Sequence, residues 1–458
     1  MLRRFVGPLR TQEGGSFAAS ERMASSSLPR RAFLQKVVTG SVGAGILSNL
    51  PDSALLSARS SAPAALPSQA PPKSIRVERV ETFKVVVPYK PGAVYSEDAA
   101  DLEPFWRDHQ KGNPEAPKVI VKLYADNGLV GIGETSRGVP EASVSKSGHF
   151  LIGRNILDLD FFAPSLGLPE PGATSGIDIA IYDLIGKTFG VPVHFLLGGR
   201  FQDRVAVTYW TAQRNEADLV AIARQATELG FKHLKFKARG PWSQVPELVR
   251  AVVKVTPELK LGVDYNRTFS DPGSFLPVGK QLEGLPVSVE DPLPPRMEWW
   301  AELRQRLAID FALTPGWTIP RGEVEEEYYS KQWFHGEPDG SGIEMLQAVK
   351  VGACDSFNLS PPQFYSFVRQ AYLAEVAGIP VWHGSGAELG IRDTAYIHAA
   401  AATRSCTIPS DTICYLRESD LLAKPFMKSI VDGYVEVPRG PGLGVELDEE
   451  ALRRYQVK

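Results

Sequence analysis

Three apolar, strand-like runs of this 458-residue chain each end on a charged residue, at nearly equal intervals. Lys237 ends "HLKFK", Asp264 ends "LKLGVD" and Glu290 ends "LPVSVE", so the steps are 27 and 26 residues. A (β/α)₈ barrel of about 250 residues spends roughly 30 residues on each strand-plus-helix unit. The spacing therefore predicts that the three residues lie at the C-terminal ends of successive barrel strands, where active sites of that fold form.

The first of these runs carries two lysines, Lys235 and Lys237, directly after the amphipathic helical stretch "ADLVAIARQATELG". Side chains two residues apart on a strand point to the same side. Two ammonium groups side by side in a barrel interior repel each other, and burial adds to the effect, so both factors lower a lysine pKa towards the range of a general base. The alternative is a pair of solvated lysines on an exposed strand edge.

Asp264 and Glu290 supply hard oxygen ligands beside these lysines. Carboxylates that converge from neighbouring strands suit a Mg²⁺ site. Either acid alone is equally compatible with a helix N-cap or a surface charge, and the repeated spacing is what favours a shared site.

Four further segments are similar to one known family. "GLVGIGET" at 128–135 resembles the hairpin of its capping domain, and the run at 176–199 resembles the helix and link into its barrel. "VEDP" resembles its strand-four acid motif, and the run at 433–455 resembles its closing signature. On these motifs the chain, from about 74 to 458, is identified as a member of the enolase superfamily, in the mandelate racemase and muconate-lactonising branch. The resemblance implies an α/β fold: a modified (β/α)₇β TIM-type barrel with an α+β N-terminal capping domain that the C-terminal segment completes.

The resulting domain prediction has four parts. Residues 1–73 form a signal peptide and linker, 74–198 the capping domain with its lead-in helices, 199–432 the barrel, and 433–458 the segment returning to the capping domain. Three alternating apolar segments between 76 and 134 predict antiparallel strands, and the strand at 433–438 is expected to rejoin the capping domain.

The resemblance also implies the chemistry. The family abstracts a proton beside a carboxylate while a metal stabilises the enediolate. Lys237 is then the base, Lys235 lowers its pKa or contacts the carboxylate, and Asp264 and Glu290 bind the metal. Asn266, two residues beyond Asp264, is expected to support the metal, a bound water or the substrate.

Strand five departs from the family pattern. The family places a third acid at its end, where this chain has Thr314, Pro315 and Gly316. Asp310 lies at the start of that strand, too early in the run. With two carboxylates we expect weaker Mg²⁺ binding, and Glu323 in the following insertion is a candidate replacement.

Strands six and seven depart as well. Ser360 stands where relatives carry a second lysine or an aspartate, which argues against a two-lysine racemase. Glu388 aligns with an acid of the muconate-lactonising and amino-acid-epimerising relatives. His383 is one residue from the histidine of the mandelate racemase type, and one residue on a strand changes the face, so it lies either in the site or in the packing. Asp355 is interpreted as a structural acid.

Loops over the barrel mouth are expected to select the substrate. In the 89–117 loop the candidates are Tyr95, Trp106 and Arg107, together with Phe105 and His109. The strand-five insertion adds Arg321, Trp333 and His335. Ordinary loop packing is the alternative for all of them.

The N-terminal region predicts export. Arg30 and Arg31 precede a short apolar run rich in Gly and Ser, and small residues follow near Ala58 and Ala62. This pattern resembles a twin-arginine signal, with Met23 as an alternative start. The expected location is periplasmic or otherwise exported, with no stable membrane association after cleavage. The alternative is a disordered basic tail.

Composition and cysteine content restrict the partners. A formal net charge of −3 gives no reason to propose nucleic acid. The three cysteines do not make a disulfide framework: either Cys406 and Cys414 pair, or all three are buried thiols. The expected partner is a small carboxylate, and the resemblance implies a homo-oligomer.

These observations predict a lyase or isomerase that abstracts the α-proton of a carboxylate substrate with a lysine base and Mg²⁺. One surviving base favours acid-sugar dehydration or cycloisomerisation. The alternative is a degenerate family member that binds a carboxylate without metal-dependent turnover.

Overall fold

The computed structural model describes residues 72–94, 96, 117–238, 240–316 and 340–457. Residues 1–71 of the predicted signal and linker, which spans 1–73, therefore lie outside the described residues, as do most of the 89–117 loop and most of the strand-five insertion.

An antiparallel three-stranded sheet begins the described chain, as the alternating segments predicted. Its strands are β1 (Val77–Val85), β2 (Lys118–Ala125) and β3 (Val130–Glu134), in that spatial order. Helices α1 (Glu141–Leu151), α2 (Thr174–Phe189) and α3 (Val193–Leu196) follow. Glycine in "GIGE" is required by close approach, since a Cβ at Gly133 would lie 1.9 Å from the carbonyl oxygen of Gly176 on α2.

Parallel strands alternating with helices form the larger part of the described chain. The strands are β4 (Arg204–Thr211), β5 (His233–Lys237), β6 (Lys260–Asp264), β7 (Val287–Glu290), β8 (Asp310–Leu313), β9 (Ser356–Leu359), β10 (Val381–His383) and β11 (Ser410–Asp411). The intervening helices are α4 (Glu216–Glu228), α5 (Val245–Val255), α6 (Pro272–Leu282), α7 (Met297–Arg306), α8 (Gly340–Val351), α9 (Phe364–Val376) and α10 (Gly390–Ala401).

The sheet runs in chain order from β4 to β10 and curls into a TIM-type barrel. β11 pairs in parallel with β4, and Val381 of β10 forms a parallel bridge with Cys406 just before β11. Eight strands and seven connecting helices in the described ranges give the (β/α)₇β pattern that the sequence predicted, because each unit buries one helix stripe against the sheet.

The C-terminal segment differs in one respect from the prediction. β12 (Ile430–Val431) and β13 (Tyr434–Glu436) form a hairpin, and β13 pairs antiparallel with barrel strand β4, not with the capping sheet. The chain reaches the capping sheet later, at α11 (Glu449–Tyr455), where Glu449 pairs with Lys122 at 2.6 Å. The predicted boundaries at 198 and 432 stay predictions.

The three cysteines are buried and unbridged, which removes the Cys406–Cys414 alternative. Across the described ranges, none of the helices combines the length and apolar character that crossing a membrane requires.

A buried histidine, His398 of α10, joins the barrel to α3 and to the C-terminal segment. Its Nε2 lies 3.1 Å from the Leu443 carbonyl oxygen, which can only accept, so Nε2 carries the hydrogen. Its Nδ1 then accepts from the His194 backbone N–H at 3.3 Å. Burial lowers the pKa of His398 to about 4, the Leu443 hydrogen bond opposes this, and neighbouring His194 lowers it further.

Acid should therefore weaken the fold through His398. Its folded pKa lies below the ordinary value of 6.5, so its stabilising contribution is complete above pH 6.5 and is lost as pH falls towards 4. We expect the difference in unfolding free energy between wild type and His398→Gln to shrink by about 2 kcal/mol from pH 6.5 to 5. Urea unfolding at several pH values measures it, with exposed His149→Gln as the control. A pH-independent difference would contradict this account.

Candidate active site

The register of three neighbouring strands brings the predicted residues together. Lys237 at the end of β5 is the pairing partner of Asp264 on β6, and Asp264 is the partner of Glu290 on β7. Because the strands are parallel, their carboxyl ends meet at one face of the barrel. The equal spacing in the sequence thus becomes a row of three side chains across adjacent strands.

Lys237 contacts the acid of the next strand. Its Nζ forms an ion pair with Oδ2 of Asp264, whose Oδ1 accepts from the Asn266 backbone N–H at 2.8 Å. The Lys237 side chain is 16% exposed, whereas that of Asp264 is 1% exposed. Burial would raise the pKa of Asp264, but Lys237 and Lys235 outweigh it and hold that pKa below its ordinary value. Lys237 is the more accessible of the two lysines.

Lys235 lies between two buried carboxylates. Its Nζ is 2.6 Å from Oε2 of Glu290 and 2.7 Å from Oδ2 of Asp411, at the end of β11. Burial lowers the pKa of Lys235, but Asp411, Glu290 and Asp264 together raise it well above its ordinary value. The shift for Lys235 is therefore opposite in direction to the expectation that crowding and burial lower the pKa of both lysines.

Glu290 has a second partner that sequence reasoning missed. Asn358 of β9 donates from Nδ2 to Oε1 of Glu290 at 2.7 Å. Ser360, the residue named for strand six, lies two positions further on, is exposed, and follows the end of β9. Asn358 and Ser360 are two residues apart, so a regular strand places them on the same side. The residue that contacts Glu290 is Asn358, which lies deeper in the barrel than Ser360.

A third acid stands beside the predicted two. Asp264, Glu290 and Asp291 each offer a carboxylate oxygen, and these oxygens lie within 4.8 Å of one another. Asp291 was overlooked because strand alternation assigns adjacent residues to opposite sides. At strand five, Thr314 follows β8, and Asp310 starts that strand and is exposed.

The structure does not bring His383 into this site, which corrects its assignment as a catalytic candidate. Trp382 points inward, with its ring centre 5.4 Å from Lys235 Nζ. His383, one residue later, faces the helices, where its ring stacks on Phe367 of α9 and Tyr396 of α10. Burial lowers the pKa of His383 to about 3, so it is a neutral packed histidine.

Glu388 belongs to a separate buried cluster. It accepts from the Gly386 backbone N–H at 2.6 Å and lies 3.5 Å from Nε of Arg392. Lys118 of the capping sheet and Arg392 hold its pKa below the ordinary value, although burial alone would raise it. Asp355 binds Arg304, as expected of a structural acid.

The predicted loop residues fall outside the described part of the chain, and their roles stay predictions. They are Tyr95, Phe105, Trp106, Arg107, His109, Arg321, Glu323, Trp333 and His335.

Two family models match this chain. The model described as mandelate racemase / muconate lactonizing enzyme, N-terminal domain, matches residues 109–198. The model described as enolase C-terminal domain-like matches residues 218–315 and 336–451. Together these segments make up more than half of the chain and include every residue of the site described above.

Curated relatives extend over most of the chain. D-xylonate dehydratase of Haloferax volcanii is 28% identical over 75% of this chain and 86% of its own length. Chloromuconate cycloisomerase of Cupriavidus pinatubonensis is 26% identical over 75% of this chain and 92% of its own. Both are named as enzymes, which favours a catalytic protein over the ligand-binding alternative.

A solved structure shows the same fold. Muconate lactonizing enzyme from Pseudomonas fluorescens, complexed with muconolactone, superposes with a TM-score of 0.67 at 22% identity, over 84% of this chain and all of the other. The matched segments and the barrel fold indicate the same family. The chain belongs to the enolase superfamily, in its mandelate racemase and muconate-lactonising branch.

Proposed function

We propose that this enzyme removes the α-proton of a carboxylate substrate with Lys237 as the base. The observation that carries the proposal is the row of Lys237, Asp264 and Glu290 across three adjacent strand ends. Lys237 is partly exposed beside the buried acids, so a substrate can reach it. Lys235, fixed between Glu290 and Asp411, is a permanent positive charge next to the position of the substrate carboxylate.

The donor set fits a divalent cation such as Mg²⁺. Asp264 and Glu290 would hold it, and their hard carboxylate oxygens are the ligands that Mg²⁺ prefers. The buried Oδ1 of Asn266 has no hydrogen-bond partner and is a candidate to orient a ligand there. When bound, the metal supplies positive charge that stabilises the enediolate oxygens. Lys237 pairs with Asp264 and Lys235 pairs with Glu290, so both lysines compete with a metal for these carboxylates. This competition supports the expectation of weak metal binding.

Reactions that need one base suit this site better than racemisation. A racemase requires a proton donor and acceptor on each face of the α-carbon. On β9 and directly after it, the residues on the side that faces the barrel interior are Asn358 and Ser360, and neither is a base at neutral pH. Dehydration of an acid sugar or a cycloisomerisation is therefore the proposed reaction, and relatives named for each occur among the curated proteins.

A solvent-exchange screen tests this proposal. The mature protein is incubated with Mg²⁺ and individual acid sugars or unsaturated diacids in D₂O, and NMR follows the α-proton signal and any product. Substrate-dependent loss of that signal or product formation would support the proposal. Inertness towards both groups would count against it.

We propose further that the protein is exported by the twin-arginine route. Arg30 and Arg31, ahead of a short apolar run, support this proposal. Replacing both arginines with lysine should abolish export, because the paired guanidinium groups are what the export receptor reads. Immunoblots of periplasmic and cytoplasmic fractions measure it, with Arg59→Lys as the control. Unchanged export of the double variant would contradict the proposal.

The family resemblance supports one proposal on assembly, that the protein is a homo-oligomer. Its molar mass in solution, measured by light scattering, decides between this and a monomer.

A further inference from the structure

Barrel strand β7 ends at Glu290, and the next residue, Asp291, is a second acid that faces the same point. In a regular strand Glu290 and Asp291 would point to opposite sides. Asp291 instead has φ of +45°, in the left-handed region that aspartate tolerates better than most residues. The strand ends there, and the turn brings the Asp291 carboxylate to within 4.8 Å of the ligand oxygens of Asp264 and Glu290.

We propose that Asp291 is the third carboxylate ligand of the metal, replacing the acid that the family carries on strand five. This inference rests on the proposed function, because it assigns a ligand to the same metal site. Two adjacent residues at the end of β7, Glu290 and Asp291, would then both bind the metal. A replacement ligand such as Glu323 is not needed.

The unpartnered oxygen of Asp291 supports the assignment. Asp291 is completely buried, and its Oδ2 has no hydrogen-bond partner among the described residues. A buried carboxylate oxygen without a partner carries a large desolvation penalty. A hard cation at the meeting point of the three acids would remove that penalty.

The residue after β8, Thr314, orients Asp291, whereas the family resemblance implies a metal-binding acid at this strand end. The backbone N–H of Thr314 donates to Oδ1 of Asp291 at 3.1 Å, which leaves Oδ2 for another partner. The Thr314 hydroxyl lies 3.5 Å from Oε1 of Glu290, so position 314 adjoins the proposed metal site. The end of β8, where the family resemblance implies an acid, thus contacts the acid that follows β7.

The local charge also favours a third acidic ligand. Lys237 pairs with Asp264, and Lys235 pairs with Glu290 and Asp411. These two lysines offset most of the negative charge on which a two-acid site would depend. Asp291 adds a carboxylate whose nearest cation in the described ion pairs, Nε of Arg267, is 3.8 Å away. Four buried carboxylates around three cationic side chains leave negative charge for a divalent ion.

Calorimetric titration of Mg²⁺ into metal-free protein tests the inference. The variants are Asp291→Asn, which keeps an acceptor for the Thr314 N–H, and Asp310→Asn as the matched control. Asp310 is an exposed acid at the opposite end of strand five. We expect the affinity to fall at least tenfold in Asp291→Asn and to stay within twofold of wild type in Asp310→Asn. Circular dichroism verifies the fold, and Asp291→Ser replaces the first variant if that one does not fold.

Each outcome has one meaning. Wild-type affinity in the Asp291 variant would overturn the inference while leaving the two-acid metal site in place. A loss in Asp291→Asn but not in Asp310→Asn supports it. No Mg²⁺ binding by wild type would overturn the inference together with the proposed function.

Discussion

Replacing Lys237 with methionine should lower the rate of α-proton exchange with solvent by about 10³-fold, within the range of general-base effects. Lys237 is the site lysine whose side chain is partly open to a substrate, at 16% exposure. Methionine keeps much of the aliphatic length and removes the amine. NMR of a substrate in D₂O measures the exchange, because an abstracted proton is replaced by deuterium even when no product forms.

Two variants sharpen this test. Lys254→Met removes an exposed lysine from α5 and should leave exchange unchanged. Asp264→Asn should slow exchange although Lys237 remains, since it removes a metal ligand. Exchange by Lys237→Met at the wild-type rate would show that another group is the base and would contradict the assignment.

Replacing Lys235 with methionine should destabilise the metal-free protein by about 3–5 kcal/mol, the cost of breaking a buried ion pair. The side chains of Lys235, Glu290 and Asp411 are 4%, 7% and 3% exposed, so two buried carboxylates would lose the cation that pairs with both of them. Urea unfolding in the presence of EDTA measures the change. Lys254→Met, which removes only an exposed charge, should alter it by less than about 0.5 kcal/mol.

A second substitution should reverse part of this loss. In the double variant Lys235→Met/Asp411→Asn one of the unpaired charges is gone, so the two substitutions should not be additive. If Lys235→Met unfolded at the same urea midpoint as the wild type, that result would contradict the role of Lys235 as the cation held between Glu290 and Asp411.

Much of the fold, and the site residues at the ends of three neighbouring strands, could be predicted from the sequence. The barrel followed from the even spacing of strand-ending residues, because each strand-plus-helix unit has nearly constant length. The same regularity placed Lys237, Asp264 and Glu290 at one barrel face. Asp411 gave no such signal, since its strand has only two residues and no apolar run.

Local backbone geometry explains the other differences. Asp291 was not predicted as a site residue because its positive φ breaks the alternation of side chains that a regular strand would show. The side of His383 was left open between the site and the packing, because a one-residue uncertainty in register reverses the face. The pKa of Lys235 was misjudged because Asp411 comes from a segment 176 residues later in the chain. Contacts between distant segments and single-residue turns are not encoded in spacing.

Mg²⁺ calorimetry on the wild-type protein, compared with Asp264→Asn and Glu290→Gln, tests the central claim most directly. The account predicts one Mg²⁺ per chain in the wild type and its loss in both variants, because each removes a carboxylate ligand. Absence of wild-type binding at millimolar Mg²⁺, with or without carboxylic acids, would contradict a metal-stabilised enediolate at this barrel face.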